Sequence, residues 1–143
     1  MKIHSCIQRR LILGLFVLLA VGMGDAQIGG DVLKVKIPFS FSVETQTFSA
    51  GEYSLKPMHP HTLLLRNQAG QVLTIIGANS VKSSEVSKFT KLIFNGYGGH
   101  YFLTQIWKAG ESIGLELIKS PVEIEMARKY SAEHQIVLRV AHR

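Results

Sequence analysis

Between residues 33 and 44 apolar and polar side chains alternate without a slip. Leu33, Val35, Ile37, Phe39, Phe41 and Val43 hold one set of positions, and Lys34, Lys36, Pro38, Ser40, Ser42 and Glu44 hold the other. Successive strand residues point to opposite faces, so period two predicts a strand with one dry and one wet side. Pro38 has no N–H to give to a ladder and predicts an edge, a bulge or a bend there. A long strand broken in this way is expected to curl between two sheets or around a barrel.

Shorter strands are expected at residues 53–57, 62–66, 71–78, 89–94, 100–108 and 113–118. Turn sequences separate them: Ala50-Gly51, Met58-His59-Pro60-His61, Asn67-Gln68-Ala69-Gly70, Asn95-Gly96-Tyr97-Gly98-Gly99 and Ala109-Gly110-Glu111-Ser112. Val72, Leu73, Ile75 and Ile76 are apolar on both faces of the third of these strands, which predicts a central position. Residues 79–88, rich in Ser and Lys, read as the longest polar link and as a mobile one.

At Ser120 the period changes. Ser120-Pro121-Val122-Glu123 has the form of a capping box with Pro at the first helical position. The helix is expected to run to about Glu133, with Val122, Met126 and Tyr130 as its apolar stripe and Glu125 paired with Lys129. Ile136, Leu138 and Val140 then alternate as a last strand. The expected fold is mainly β: an antiparallel sandwich or small closed barrel of about eight strands with one C-terminal helix. That helix is expected to plug an end of the barrel, or to cross an open edge, before the last strand closes the sheet.

The first 26 residues follow another pattern. Lys2, Arg9 and Arg10 precede an apolar run at residues 11–21, and Gly22-Met23-Gly24-Asp25-Ala26 follows it. A basic segment, a short apolar core and a small-x-small site mark a secretory signal, with cleavage expected between Ala26 and Gln27. A membrane span takes roughly 17–25 apolar residues, more than this run supplies. The expected organisation is a signal peptide at 1–26 and a single β-rich domain at 27–143, located in the periplasm or secreted from a bacterial cell, with no transmembrane span after cleavage.

Composition narrows the chemistry. The only cysteine, Cys6, lies within the signal, so residues 27–143 contain no thiolate for zinc, catalysis or a disulfide. Taking Lys2, Arg9, Arg10 and Asp25 off the whole-chain excess of +6 leaves +4. That excess suits an anionic envelope surface, or is simply that of a soluble basic protein, while the scatter of the basic residues and the destination argue against nucleic acid.

Two constellations are candidates for chemistry. His59 and His61 stand two apart, so on an extended chain their imidazoles point the same way and can share a metal ion. His100, Glu52 or His134 would have to supply a further ligand, and the other reading is a polar turn. Tyr97, His100 and Tyr101 mark a Gly-rich aromatic tip, with Trp107 six residues beyond Tyr101 on the same strand and expected on the same face. Such a tip can stack on a sugar or a small apolar ligand; alternatively Tyr101, Leu103 and Trp107 line the core. No nucleophile elbow, phosphate loop or dinucleotide fingerprint occurs. Glu123 and Glu125 do not face each other on a helix, and a hydrolase built on Glu52 with a distant partner stays open.

Pro38-Phe39-Ser40-Phe41, Ala50-Gly51-Glu52-Tyr53, Tyr101-Phe102-Leu103 and Trp107, continued by Gly114, Leu117, Ser120 and Glu123, resemble a group of small exported β-rich proteins found mainly in acidobacteria. The resemblance covers most of residues 27–143 and implies export and a single domain; the group has no known activity to carry over. The expected function is a non-enzymatic exported domain that binds a small ligand or an envelope component, without a cofactor. The rivals are a self-associating envelope or matrix protein, and a hydrolase or metal-binding protein without a motif.

Overall fold

Pro38 divides the long alternating stretch into two strands that serve different layers. Strand β1 (Leu33–Ile37) runs antiparallel to β4 (Gly51–His59), with Val35 opposite Tyr53. Past Pro38 the chain re-enters as β2 (Phe41–Val43), which meets β8 (His100–Trp107) in parallel at Ser42 and Phe102. It also forms a short hairpin with β3 (Gln46–Phe48). The computed structural model in which this is seen describes residues 32–59, 61–130 and 134–140. The expected signal at 1–26 and the side chain of His59 lie outside the described residues.

A second strand also serves both layers. The first half of β6 (Val72–Lys82) pairs with β5 (Thr62–Asn67), ending with Gly77 opposite Thr62. From Ala78 it pairs with β9 (Ile113–Leu117) instead. One layer is therefore β1-β4-β5-β6, and the other continues from β6 through β9 and β8 to β7 (Lys91–Tyr97) and β10 (His134–Arg139). The result is a sandwich-like sheet of ten strands that does not close: among the described residues β1 pairs with β4 alone and β10 with β7 alone. Two strands come on top of the eight expected, because Pro38 splits one and residues 46–48 pair as another. The last strand ends the sheet as an edge and does not close it.

Inward-facing aromatics join the layers. Phe94, fully buried, holds Phe39 edge-on at 5.0 Å and Phe41 at 5.9 Å, and Phe41 meets Tyr53 at 5.1 Å. Ile37, Leu55, Leu63, Leu65, Ile76 and Leu92 fill the space around them. Each such side chain stabilises the fold by about 1.5–3 kcal/mol on burial.

Several expectations need correction. Strand β6 is central in its hydrogen bonding, yet its outer face is wet: Ile75, opposite Leu64, is 59% exposed. Antiparallel sheets tolerate one solvated face, so apolar residues on both sides did not require cover. Of the expected polar link, residues 79–82 belong to β6, because β9 continues its ladder. The remainder is tied down: Ser83 N–H donates to Ser112 O (2.8 Å), Ser87 N–H to Glu111 O (2.9 Å) and Ser87 Oγ to Phe89 O (2.8 Å).

Helix α1 (Pro121–Lys129) begins as its sequence requires, with Ser120 Oγ accepting from Glu123 N–H at 3.1 Å. It ends at Lys129, short of Glu133, with Tyr130 as its cap. Its inner stripe is Glu123, buried, with Met126 and Tyr130 half-buried, while Val122 is exposed. Met126 and Tyr130 thus keep their expected places, and Glu123 replaces Val122 at the first turn. Glu125 takes Arg128 (3.0 Å) as its partner and not Lys129. Among the described residues no helix is long and apolar enough to cross a membrane.

Candidate functional site

The β7–β8 hairpin carries the aromatic candidates, and a β-bulge decides where they point. Phe94 opposes Leu103, but Ile93 opposes Gln105, which leaves Thr104 as the extra residue. Its hydroxyl donates to Ile93 O at 3.0 Å. A single extra residue exchanges the two faces of everything beyond it. Tyr101 and Leu103 therefore face the core, whereas Gln105 and Trp107 face outward and Ile106 takes the inner place. Trp107 shares a strand with Tyr101 and not a face, which corrects the period-two expectation.

The four aromatic-site candidates end in separate surroundings. Tyr101 is half-buried against Phe39, with ring centroids 4.9 Å apart. Tyr97 opposes His100 on the outer side and is 2% exposed, 6.0 Å from Phe102. Tyr130, the residue that ends α1, packs against this turn: a Cβ on Gly98, which has φ +56°, would stand 2.5 Å from its ring. Of the four candidates only His100 is exposed.

Trp107 lies at the far end of β8, flat against Gly114, where a Cβ would stand 2.6 Å from its ring. Its Nε1 donates to Gln105 Oε1 (3.0 Å), and Gln105 Nε2 donates to Glu116 Oε1 (3.3 Å). Between Trp107, Lys91, Ile93 and the loop at residues 83–89 is a cleft of about 340 Å³. Trp107 is 7% exposed, so little of it is open to the cleft.

His61 is exposed at the β4–β5 turn. Glu52, one of its suggested co-ligands, sits at the opposite end of β4 from that turn, opposite Lys36. Among the described residues no group of three or more His, Cys, Asp or Glu gathers closely enough to hold a metal ion.

A larger concavity follows the unclosed side of the sandwich. A groove of about 970 Å³ runs along β1 and is bounded by β4, by the turn at residues 67–70 and by Thr90, Arg139 and Val140. Asn67 Oδ1 closes the turn by accepting from Gln71 N–H (2.9 Å), and Gly70 takes φ +83°. On the opposite wall Val140 N–H donates to Thr90 O (2.9 Å), and the Arg139 guanidinium lies 4.0 Å over the ring of Phe89. Lys34, Lys36, Arg66 and Arg139 line this groove, against a single carboxylate, Glu52. Arg66 Nε is shut from solvent without a hydrogen-bond partner among the described residues.

Sequence reading missed this site. Its cations come from three strands and stand at positions 34, 36, 66 and 139, so no local spacing joins them. The one available signal was the Lys34–Lys36 alternation on an expected edge strand. Comparison with protein-family models, with curated proteins and with solved structures gives no match, so the chemistry of the groove is read from its own residues.

Proposed function

We propose that the chain is an exported, non-enzymatic binding domain, working in the periplasm or outside the cell, and that the groove along β1 receives an anionic ligand. The observation that carries this reading is the charge of the groove: four cations against one carboxylate, including a buried guanidinium nitrogen without a hydrogen-bond partner among the described residues. A concave surface of one sign concentrates ligands of the other. Arg66 and Arg139 bring the planar forks that match carboxylate and phosphate groups. The export pattern at 1–26 and the likeness to small exported proteins support the compartment, where acidic polysaccharide and anionic lipid are the abundant polyanions.

Two titrations of the purified protein test this, one with polygalacturonate against neutral dextran, the other with phosphatidylglycerol against phosphatidylcholine vesicles. Binding is expected for an anionic probe alone and weakens as salt rises. The double variant Lys34→Glu/Lys36→Glu is expected to bind at least about tenfold more weakly, since two attractions become repulsions. Unchanged affinity in that variant contradicts the proposal. Amino-terminal sequencing of the protein recovered outside the cytoplasm checks the export half: it is expected to begin at Gln27, and an intact Met1 contradicts it.

A further inference from the structure

We infer that the ligand of this groove is an extended acidic peptide that adds a strand to the free edge of β1; the inference rests on the anionic reading above. In an antiparallel pair every second residue turns its N–H and C=O away from its partner. Strand β1 pairs with β4 alone among the described residues, so those groups line the groove as a template for another strand.

The side chains of β1 specify what that strand must carry. Lys34 and Lys36 are exposed on the outer face, while Val35 (7% exposed) and Ile37 (1%) face the core. Residues directly opposite on neighbouring strands share a face. An incoming strand is therefore complementary when acidic residues stand opposite Lys34 and Lys36 and apolar residues stand between them. The two positions are not equivalent. Lys34 lies in a row with Ser54 and then Arg66, so two cations flank one small hydroxyl. Lys36 stands opposite Glu52, which offsets part of its charge. The acid opposite Lys34 is the stronger determinant.

Charge also decides against a second copy of this chain as the occupant. The edge strands of the described sheet are β1, β3 and β10, with sequences Leu-Lys-Val-Lys-Ile, Gln-Thr-Phe and His-Gln-Ile-Val-Leu-Arg. None contains an acidic residue, and pairing β1 with β1 of a second copy sets Lys against Lys, which is destabilising. Polysaccharides and lipids meet the charge but have no backbone amides to continue the ladder.

The test uses a capped peptide of alternating valine and glutamate. Its comparisons are a peptide of the same composition with the glutamates in one block, a form N-methylated at alternate amides in each register, and polygalacturonate. The alternating peptide is expected to bind and to slow amide hydrogen exchange in β1, while blocking the residues or N-methylating the backbone weakens binding about tenfold or more. A valine–lysine peptide is expected to bind Lys34→Glu/Lys36→Glu and not the parent, and Lys34→Glu alone is expected to cost more affinity than Lys36→Glu alone. Equal binding of the alternating, blocked and N-methylated peptides, or polygalacturonate binding without peptide binding, overturns the inference and leaves the anionic groove standing. Failure of both polygalacturonate and peptide to bind overturns both.

Discussion

The tip of the β7–β8 hairpin and the free edge of β1 differ in what the fold has done with their side chains. At the tip, Tyr97 is 2% exposed beside Phe102, Tyr101 is half-buried against Phe39, and the Tyr130 ring packs against Gly98. On β1 the apolar residues are equally committed to the core, but Lys34 and Lys36 stand exposed beside an edge that pairs with no other strand among the described residues. Aromatic residues offer the most area to bury and are absorbed by packing wherever two layers meet. Cations resist burial and stay available unless a partner is built in. In this fold the aromatic cluster stabilises, and the charge on the open edge stays exposed.

Substitutions at the two places are expected to separate stability from binding. The largest effect is expected at the hairpin: Tyr97→Ala or Phe94→Ala lowers unfolding free energy by about 3–5 kcal/mol in chemical denaturation. The folded fraction keeps its affinity for an anionic probe, and a loss of affinity there breaks the contrast. Gly114→Val, which drives a side chain into Trp107, is expected to cost about 1–3 kcal/mol. Because Trp107 is the only tryptophan, its emission reports the same displacement directly. Removing the helix cap in Ser120→Ala is expected to cost about 1 kcal/mol. The smallest stability effect is expected on β1, where Lys34→Glu, opposite Ser54, changes unfolding by no more than about 0.5 kcal/mol while lowering anion affinity. A large stability loss there would assign this lysine to the fold and remove it from the site.

Much of the fold was legible because its causes are local. Alternation at residues 33–43 follows from strand geometry, Pro38 interrupts a ladder whatever surrounds it, and Ser120 caps a helix with its own hydroxyl. What escaped depends on partners distant in sequence. Thr104 looks like any strand residue, and only its register against Ile93 and Phe94 makes it a bulge that sends Trp107 to the other face. Residues 79–82 read as a polar link because both their neighbours and their outer side are wet, yet β9 holds them in the sheet. In α1 Met126 and Tyr130 lie inward as their spacing predicts, but Glu123 and not Val122 is buried at the first turn. The groove was the least legible feature, since Lys34, Arg66 and Arg139 come from three strands and line a seam where, among the described residues, β1 and β10 do not pair.

The contrast between tip and edge is tested most directly by following backbone amide resonances while polygalacturonate is added. Shifts are expected at residues 32–36 and at Arg66, Thr90 and Arg139, with residues 97–101 unmoved. Shifts centred on Tyr97, His100 and Tyr101, with β1 silent, would contradict it.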